Sequence, residues 1–342
     1  MSDKIKQIIK LGIFISLSAV LLYLAFRNIS LLEVLKELKS ANYLWVLLAL
    51  IASVIAFVSR ARRWILLIRP LGYEPGIKSA YHSVMTGYLF NFAAPRLGEL
   101  TRCVALGRKE KIPVDKLFGT VIAERAFDLL SMFIILVVMV FARGDLMDSF
   151  LRENILRPIG DKISSAFGFS SAFIIILIVF HIVMFIMLIK YRERLMKIKA
   201  FAKIGDIMKG IFNGLKSFLK MKDKLEFIIH TVILWSCYTV MAWVIFYALP
   251  STSHLNFSDA VFILVIGTLG MSAPVQGGIG AFHWIVSRGL NVVYDIDLKD
   301  GLAYATLSHE SQLLLIAILG TISFFLILGK SRKSYVESVQ ED

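Results

Sequence analysis

The stretch of sequence that decides the fold is Asn91-Phe92-Ala93-Ala94-Pro95-Arg96-Leu97-Gly98-Glu99-Leu100-Thr101-Arg102. Pro95 cannot continue a helix and Gly98 permits a turn, so the apolar stretch 77–94 is predicted to break here. A second break interrupts the apolar stretch 258–291, with Pro274, Gly277, Gly278 and Gly280 as its helix-breaking residues. We expect both stretches to form broken helical hairpins that re-enter the membrane, because neither can cross it as a straight helix.

The rest of the chain is apolar enough to span a membrane several times. Of its 342 residues 57% are hydrophobic, whereas a soluble domain carries roughly 45–50% apolar residues. Runs of about 20 apolar residues can cross ~30 Å of hydrocarbon, and such runs predict six full spans, at 8–26, 43–59, 118–142, 170–190, 227–248 and 302–328. The expected fold class is an all-α polytopic membrane protein with about six full spans and two re-entrant hairpins, and it leaves no room for a soluble catalytic domain.

The net charge of +13 follows from membrane topology. If both hairpins re-enter, most of the 38 Lys and Arg residues fall in cytoplasmic segments, as the positive-inside rule requires. Both termini are then cytoplasmic and the protein lies in the cell (inner) membrane. The basic loop 191–226 is predicted to be an amphipathic helix on the cytoplasmic leaflet. No nucleic-acid partner is needed to explain the charge.

An inverted repeat is predicted from the same topology. Each half contains two spans, a re-entrant hairpin and a further span, and the halves 1–150 and 165–330 start on opposite sides. Residues 94–98 and 273–277 share the pattern A-P-x-x-G. Transporters with inverted repeats often place broken helices near the midplane, where they form the binding site.

The first break and the span after it supply candidate binding residues. Glu99 opens a predicted half-helix with Arg96 before it and Arg102 one turn later, and a helix N-terminus beside guanidinium groups is suited to phosphate. The alternative is a basic loop that only sets orientation. In the next span, Arg125 can pair with Asp128 at i+3, and an ionisable group deep in a membrane usually faces a partner or a cavity. The alternative there is a purely structural pair.

The last span carries a second polar group. Glu124, in the earlier span, is shallower than Asp128 and is expected near the interface. His309 and Glu310 match Asp128 in predicted depth and are suited to relaying protons, although a structural hydrogen-bond network is the alternative. The second break, around Gln276, exposes backbone groups that suit a headgroup or an ion, unless it is only a packing corner. We assign no role to His283.

Several other features predict no chemistry. The segment Arg60-Ala61-Arg62-Arg63-Trp64 ends a predicted span, where Arg and Trp usually anchor a helix at the interface. Cys103 and Cys237 suggest neither a disulfide nor a metal site. The chain contains no nucleotide-binding G-x-x-x-x-G-K-[ST] loop. We expect no cofactor and no metal.

Three motifs together resemble the membrane region of lysylphosphatidylglycerol synthases. They are N-x-x-x-P-R-x-G-E-x-x-R at 91–102, E-R-x-x-D at 124–128 and P-x-x-G-G-x-G at 274–280. The resemblance covers nearly the whole chain and implies a single flippase-like transmembrane domain, 1–342, in a stand-alone form without the aminoacyltransferase domain. It implies functional positions at Asn91, Pro95, Arg96, Gly98, Glu99, Arg102, Glu124, Arg125, Asp128, Pro274, Gly277, Gly278 and Gly280.

These observations favour a lipid flippase that moves an anionic or modified phospholipid, or another phosphate-linked envelope lipid, between leaflets. On this hypothesis the headgroup-binding residues are Asn91, Arg96, Glu99, Arg102, Glu124, Arg125, Asp128, Gln276, His309 and Glu310, with no catalytic residue. Two alternatives stay open: a membrane-embedded transferase acting on lipid phosphates, and a non-catalytic partner of an envelope-lipid enzyme. The expected partners are membrane lipids, with a homo-oligomer and a separate lipid-synthesising enzyme left open.

Overall fold

The computed structural model describes residues 16, 19–23, 25–26, 30–92, 97–153, 221–273 and 275–340. Regular structure in this part of the chain is helical throughout, which confirms the all-α fold class. The helices are α1 (Leu31–Ser40), α2 (Tyr43–Ile68), α3 (Ile77–Phe90), α4 (Leu97–Glu110), α5 (Val114–Leu151), α6 (Lys224–Phe246), α7 (Phe257–Met271), α8 (Ala281–Tyr294) and α9 (Leu298–Gln340).

Four of these helices are long and apolar enough to cross a membrane. The candidate spans are Tyr43–Leu71, Val114–Leu146, Lys224–Phe246 and Leu298–Ile327. They correspond to four of the six predicted spans. The predicted span 170–190 lies outside the described residues, as do nearly all of the loop 191–226 and most of the span 8–26.

The two interrupted stretches form helical hairpins. α3 packs against α4, and α7 packs against α8. Each of these helices has only 14 or 15 residues, about 21–22 Å at 1.5 Å per residue, so none can cross ~30 Å of hydrocarbon alone. Short paired helices are the form expected of a re-entrant segment.

Packing between elements distant in the chain places the hairpins. α2 makes its most extensive contacts with α6, while α9 lies against both α3 and α8. The Tyr304 hydroxyl of α9 donates to the Ala242 carbonyl oxygen of α6 at 2.7 Å, in a fully buried contact. One long helix, α9, therefore touches one arm of each hairpin.

Hydrogen bonds between neighbouring residues define where the second hairpin begins. Asn256 caps α7 by accepting hydrogen bonds from the backbone amides of Ser258 and Asp259, and the Asp259 carboxylate accepts from the Asn256 amide. This capping box satisfies donors that a helix N-terminus otherwise leaves without partners. It defines where the chain leaves the preceding loop and enters the hairpin.

Candidate functional site

Two arginines of α2 are buried inside the protein, contrary to the prediction that they anchor the helix at the interface. Arg60 and Arg63 are both buried, whereas Arg62 is half-buried and pairs with Glu226 at 2.5 Å. The prediction was wrong because α2 continues to Ile68 and packs against other helices over its last turns. Arg60 and Arg63 therefore face protein, and only Arg62 faces outward.

Glu124 of α5 is the centre of the buried charges. Its side chain is 0% exposed, so the expectation that it sits at the interface was also wrong. One carboxylate oxygen accepts from Arg102 Nη2 of α4 at 2.9 Å, and the other accepts from Arg60 Nη1 of α2. A single carboxylate thus joins three helices.

Asp128, one turn later on α5, extends the ion pairs. Its Oδ2 accepts from Arg60 Nη1 at 3.0 Å, and its Oδ1 lies 2.9 Å from Arg63 Nη1 without hydrogen-bond geometry. The predicted pair with Arg125 is the longest of the three contacts, at 3.7 Å. Arg125 lies closer to Glu99 of α4, at 3.1 Å.

We call this group the arginine cluster; it consists of Arg60, Arg63, Arg102, Arg125, Glu99, Glu124 and Asp128. Four arginines against three carboxylates leave one positive charge in excess. Buried guanidinium nitrogens of Arg60, Arg63 and Arg102 also lack a hydrogen-bond partner within the described part of the chain. A buried positive group with unused donors favours an anionic ligand.

Aromatic rings wall the arginine cluster. The Arg102 guanidinium lies 4.8 Å from the centroid of the Trp64 ring, and that of Arg63 lies 5.1 Å from the Phe227 ring. The Tyr238 hydroxyl accepts from Arg60 Nη2 at 3.2 Å. Cation–π contacts of this kind hold guanidinium groups in place away from water.

A cleft opens beside the arginine cluster at the first break. It is small and open to the outside, and Arg102 and Arg125 are its two positive groups. The remaining lining residues are Val84, Gly87, Tyr88, Asn91, Gly98 and Glu99. Arg96 and Pro95, which the sequence also assigned to this region, lie outside the described residues.

At the first break, α3 and α4 are joined by a hydrogen bond to Asn91 and by a close contact between two glycines. The Asn91 side-chain oxygen accepts from the Gly98 amide at 2.8 Å. Gly98 lies within α4 and not in the turn where it was predicted, and a Cβ on it would overlap the Gly87 carbonyl oxygen. Its small size is needed so that α3 and α4 can approach each other.

The second break has the opposite character, because its glycines do form the turn. Gly277, Gly278 and Gly280 have φ values of +57°, +77° and +84°, a region that favours glycine. Gln276 begins a single 3₁₀ turn, Gln276–Gly278. Pro274 lies outside the described residues.

A second polar group, His283, His309 and Glu310, lies where α8 and α9 meet this break. His309 Nε2 is 2.8 Å from the Gly277 carbonyl oxygen, and its Nδ1 is 3.2 Å from Glu310 Oε1. His283 Nε2 is 3.4 Å from the same carboxylate oxygen. His283 was assigned no role from its sequence context, yet it is buried here, and only the packing of α8 against α9 brings it to this group.

Both polar groups join the second helix of a hairpin to the long helix that follows it. Glu99 of α4 contacts Arg125 of α5 at 3.1 Å, and the rings of His283 of α8 and His309 of α9 lie 5.2 Å apart between centroids. The two junctions differ in chemistry, because the first is an ion pair and the second is a pair of histidines beside a carboxylate.

Asp128 and Glu310 belong to separate sets of ion pairs. The ion-pair partners found for Asp128 are arginines, whereas those found for Glu310 are His283 and His309, and the two sets share no residue. The protein thus has a positively charged group at the first hairpin and a histidine–carboxylate group at the second.

This chain matches one known membrane protein and one protein-family model. The UPF0104 membrane protein MJ1595 of Methanocaldococcus jannaschii is 30% identical over 125 residues, which are 36% of this chain and 37% of that protein. The family model described as the lysylphosphatidylglycerol synthase TM region matches residues 7–320, nearly the whole chain. The helices, their breaks and this match lead to one conclusion: the chain belongs to the family of lysylphosphatidylglycerol synthase transmembrane regions.

Proposed function

We propose that this protein moves a lipid with an anionic or modified headgroup between the leaflets of the cell (inner) membrane, with both of its termini cytoplasmic. The observation that carries the proposal is the arginine cluster, which has one excess positive charge and borders a cleft at the first break. A membrane lipid that meets this description is a phospholipid or another lipid linked through phosphate.

The headgroup binds at Arg125 and Arg102. Arg125 is 45% exposed, and its ion-pair partners among the described residues are Glu99 and, at 3.7 Å, Asp128. A phosphate can replace Glu99 on this guanidinium without disturbing the buried pairs of Glu124, and it gains a bidentate partner. Arg102, which is buried and fixed by Glu124, presents the deeper positive charge.

The two hairpins act as the moving parts. Helix α9 packs against α3 of the first hairpin and α8 of the second, so a displacement of one hairpin is transmitted to the other through a single rigid element. The A-P-x-x-G pattern shared by the two breaks favours the predicted inverted repeat. Alternating access in such transporters comes from one repeat moving against the other around a fixed site.

The arrangement favours translocation over the transferase alternative. A general base must have a carboxylate oxygen within reach of the proton that it abstracts. Both oxygens of Glu124 contact guanidinium groups, and both oxygens of Asp128 lie within 3.0 Å of one. This pairing argues against Glu124 and Asp128, although not against Glu99, as the base of a transferase.

The test uses purified protein in liposomes that carry fluorescent phosphatidylglycerol, aminoacylated phosphatidylglycerol or phosphatidylethanolamine. Dithionite quenching measures transfer between leaflets, and mass spectrometry measures any change in the lipid. We expect faster transfer with unchanged lipid masses. Arg125→Gln should slow transfer of the preferred lipid by roughly 10- to 100-fold, because a hydrogen bond to a charged group is worth about 1.5–3 kcal/mol.

Arg62→Gln is the matched control. Arg62 is 30% exposed and also pairs with a carboxylate, but it does not line the cleft. Equal transfer rates in Arg125→Gln and Arg62→Gln would remove the headgroup site from the proposal. Wild-type protein that fails to accelerate transfer of any of the three lipids would contradict translocation of phospholipids, and a new lipid mass would establish the transferase instead.

A further inference from the structure

We propose that His283, His309 and Glu310 form a binding site for a divalent transition metal ion of the zinc class. Two imidazole nitrogens and a carboxylate oxygen lie within 4.8 Å of one another where α8, α9 and the second break meet. Two histidines and one glutamate are a ligand set that zinc uses, with a fourth position left for water. The inference goes beyond lipid translocation and does not depend on it.

The distances between the ligand atoms suit a tetrahedral ion. With metal–ligand bonds of about 2.0–2.1 Å, neighbouring ligands of tetrahedral zinc are about 3.3–3.4 Å apart. Glu310 Oε1 lies 3.2 Å from His309 Nδ1 and 3.4 Å from His283 Nε2. The two nitrogens are at most 4.8 Å apart, so the site closes with a small rotation of one ring.

The surroundings of His309 orient it as a ligand. Its Nε2 is 2.8 Å from the Gly277 carbonyl oxygen, which can only accept a hydrogen bond, so the proton lies on Nε2. With the ring neutral, Nδ1 presents its lone pair toward the Glu310 carboxylate oxygen 3.2 Å away, so that both atoms can ligate one ion. Ligation through one ring nitrogen, with the other donating to a backbone carbonyl, is the usual arrangement at metal sites.

A bound cation would also balance the charge of Glu310. The ion-pair partners of Glu310 in the described part of the chain are His283 and His309, and neither ring carries a charge in its neutral form. At the first hairpin, by contrast, Glu99 has Arg125 as a full positive partner. A bound metal ion supplies at the second hairpin the charge that an arginine supplies at the first.

The cluster is enclosed but still reachable. His283 and His309 are buried, and Phe282 stacks on the His309 ring with centroids 5.0 Å apart. Glu310 is 46% exposed, which leaves an entry path and room for a water ligand. An ion held here ties α8 to α9 and, through His309, fixes the Gly277 carbonyl of the break.

The experiment uses the full-length protein, purified with a tag that contains no histidine and dialysed against a chelator. Zn²⁺ alone is titrated in competition with a chromophoric chelator, and Co²⁺ alone is added to record its visible absorption. We expect one Zn²⁺ per chain and the intense bands of four-coordinate Co²⁺. Loss of a ligand in His309→Gln or His283→Gln should weaken Zn²⁺ binding by more than the roughly 10- to 100-fold that is typical when a residue hydrogen-bonded to a ligand is changed.

Matched variants separate the site from unspecific binding. Glu310→Gln keeps the size of the side chain but removes the anionic ligand, so it should lose Zn²⁺ while eluting from size-exclusion chromatography as the wild type does. His254→Gln, an exposed histidine between α6 and α7, should bind as the wild type. His181→Gln should also bind normally, because His181 is not among the proposed ligands.

Two results would overturn the proposal. One is that the wild-type protein binds no more Zn²⁺ than the double variant His283→Gln/His309→Gln. The three residues would then be a hydrogen-bonded histidine–carboxylate network and not a metal site. The other is loss of Zn²⁺ in His181→Gln equal to that in His309→Gln, which would show a different ligand set. Neither readout involves lipid transfer, so this proposal and the proposed function fail independently.

Discussion

Replacement of Glu124 by glutamine should be among the most damaging conservative changes in this protein. The carboxylate is 0% exposed and each of its oxygens faces a different guanidinium, that of Arg60 or that of Arg102. Glutamine keeps the size but turns an NH₂ donor toward one arginine and leaves both arginines short of charge. Breaking a buried ion pair by removing one partner costs about 3–5 kcal/mol, and we expect a loss in this range.

Glu226→Gln is the control for this prediction. Glu226 pairs with Arg62 on the same helix that carries Arg60, but the two side chains are 35% and 30% exposed. Pairs as exposed as this contribute about 0–1 kcal/mol. The free energy of unfolding of both variants is measured by reversible titration of the micelle-bound protein with dodecyl sulfate, followed by circular dichroism. A Glu124→Gln variant that is no less stable than Glu226→Gln would refute the reasoning.

A double variant tests the cause of the loss. If the cost of Glu124→Gln comes from stranded positive charge, adding Arg102→Met should remove one stranded guanidinium and recover part of the stability. Residues that share one ion-pair network show coupling of about 0.5–3 kcal/mol. Additive losses in the double variant would mean that Arg102 and Glu124 stabilise the fold separately.

Two further substitutions test the packing of the helices. Gly98→Ala should separate α3 from α4, since its Cβ would overlap the Gly87 carbonyl oxygen, and such overpacking costs about 1–3 kcal/mol of stability. Gly119→Ala is the control, because Gly119 has open space around it and the substitution should not destabilise the protein. The same dodecyl sulfate titration compares the two variants. Tyr304→Phe removes the hydroxyl that donates to the buried Ala242 carbonyl. It should lower the stability of the protein by about 1–3 kcal/mol, because a buried acceptor is left without a donor. A midpoint of thermal unfolding equal to that of the wild type would contradict this.

Sequence patterns predicted the features that depend on local chemistry. Apolar runs of membrane length predicted the long helices α2, α5, α6 and α9, and Pro and Gly predicted both interruptions, because backbone dihedrals and helix hydrogen bonds are properties of neighbouring residues. The prediction that Gly98 forms the turn was wrong, because the reason for a glycine depends on residues that are distant in the chain. A glycine that is needed for a turn and one that is needed for a close helix contact look alike in a sequence.

The sequence by itself determined that this chain forms helices in a membrane, where two of them break, and which charged residues lie in apolar surroundings. Tertiary structure decided which of those charges meet. Arg60 and Arg63 look like interface anchors until α4 and α5 bring Glu124 and Asp128 against them, and His283 gains a role only beside His309. The physical reason is that a buried charge is stable only with a partner, and which partner it finds depends on which distant helices pack together.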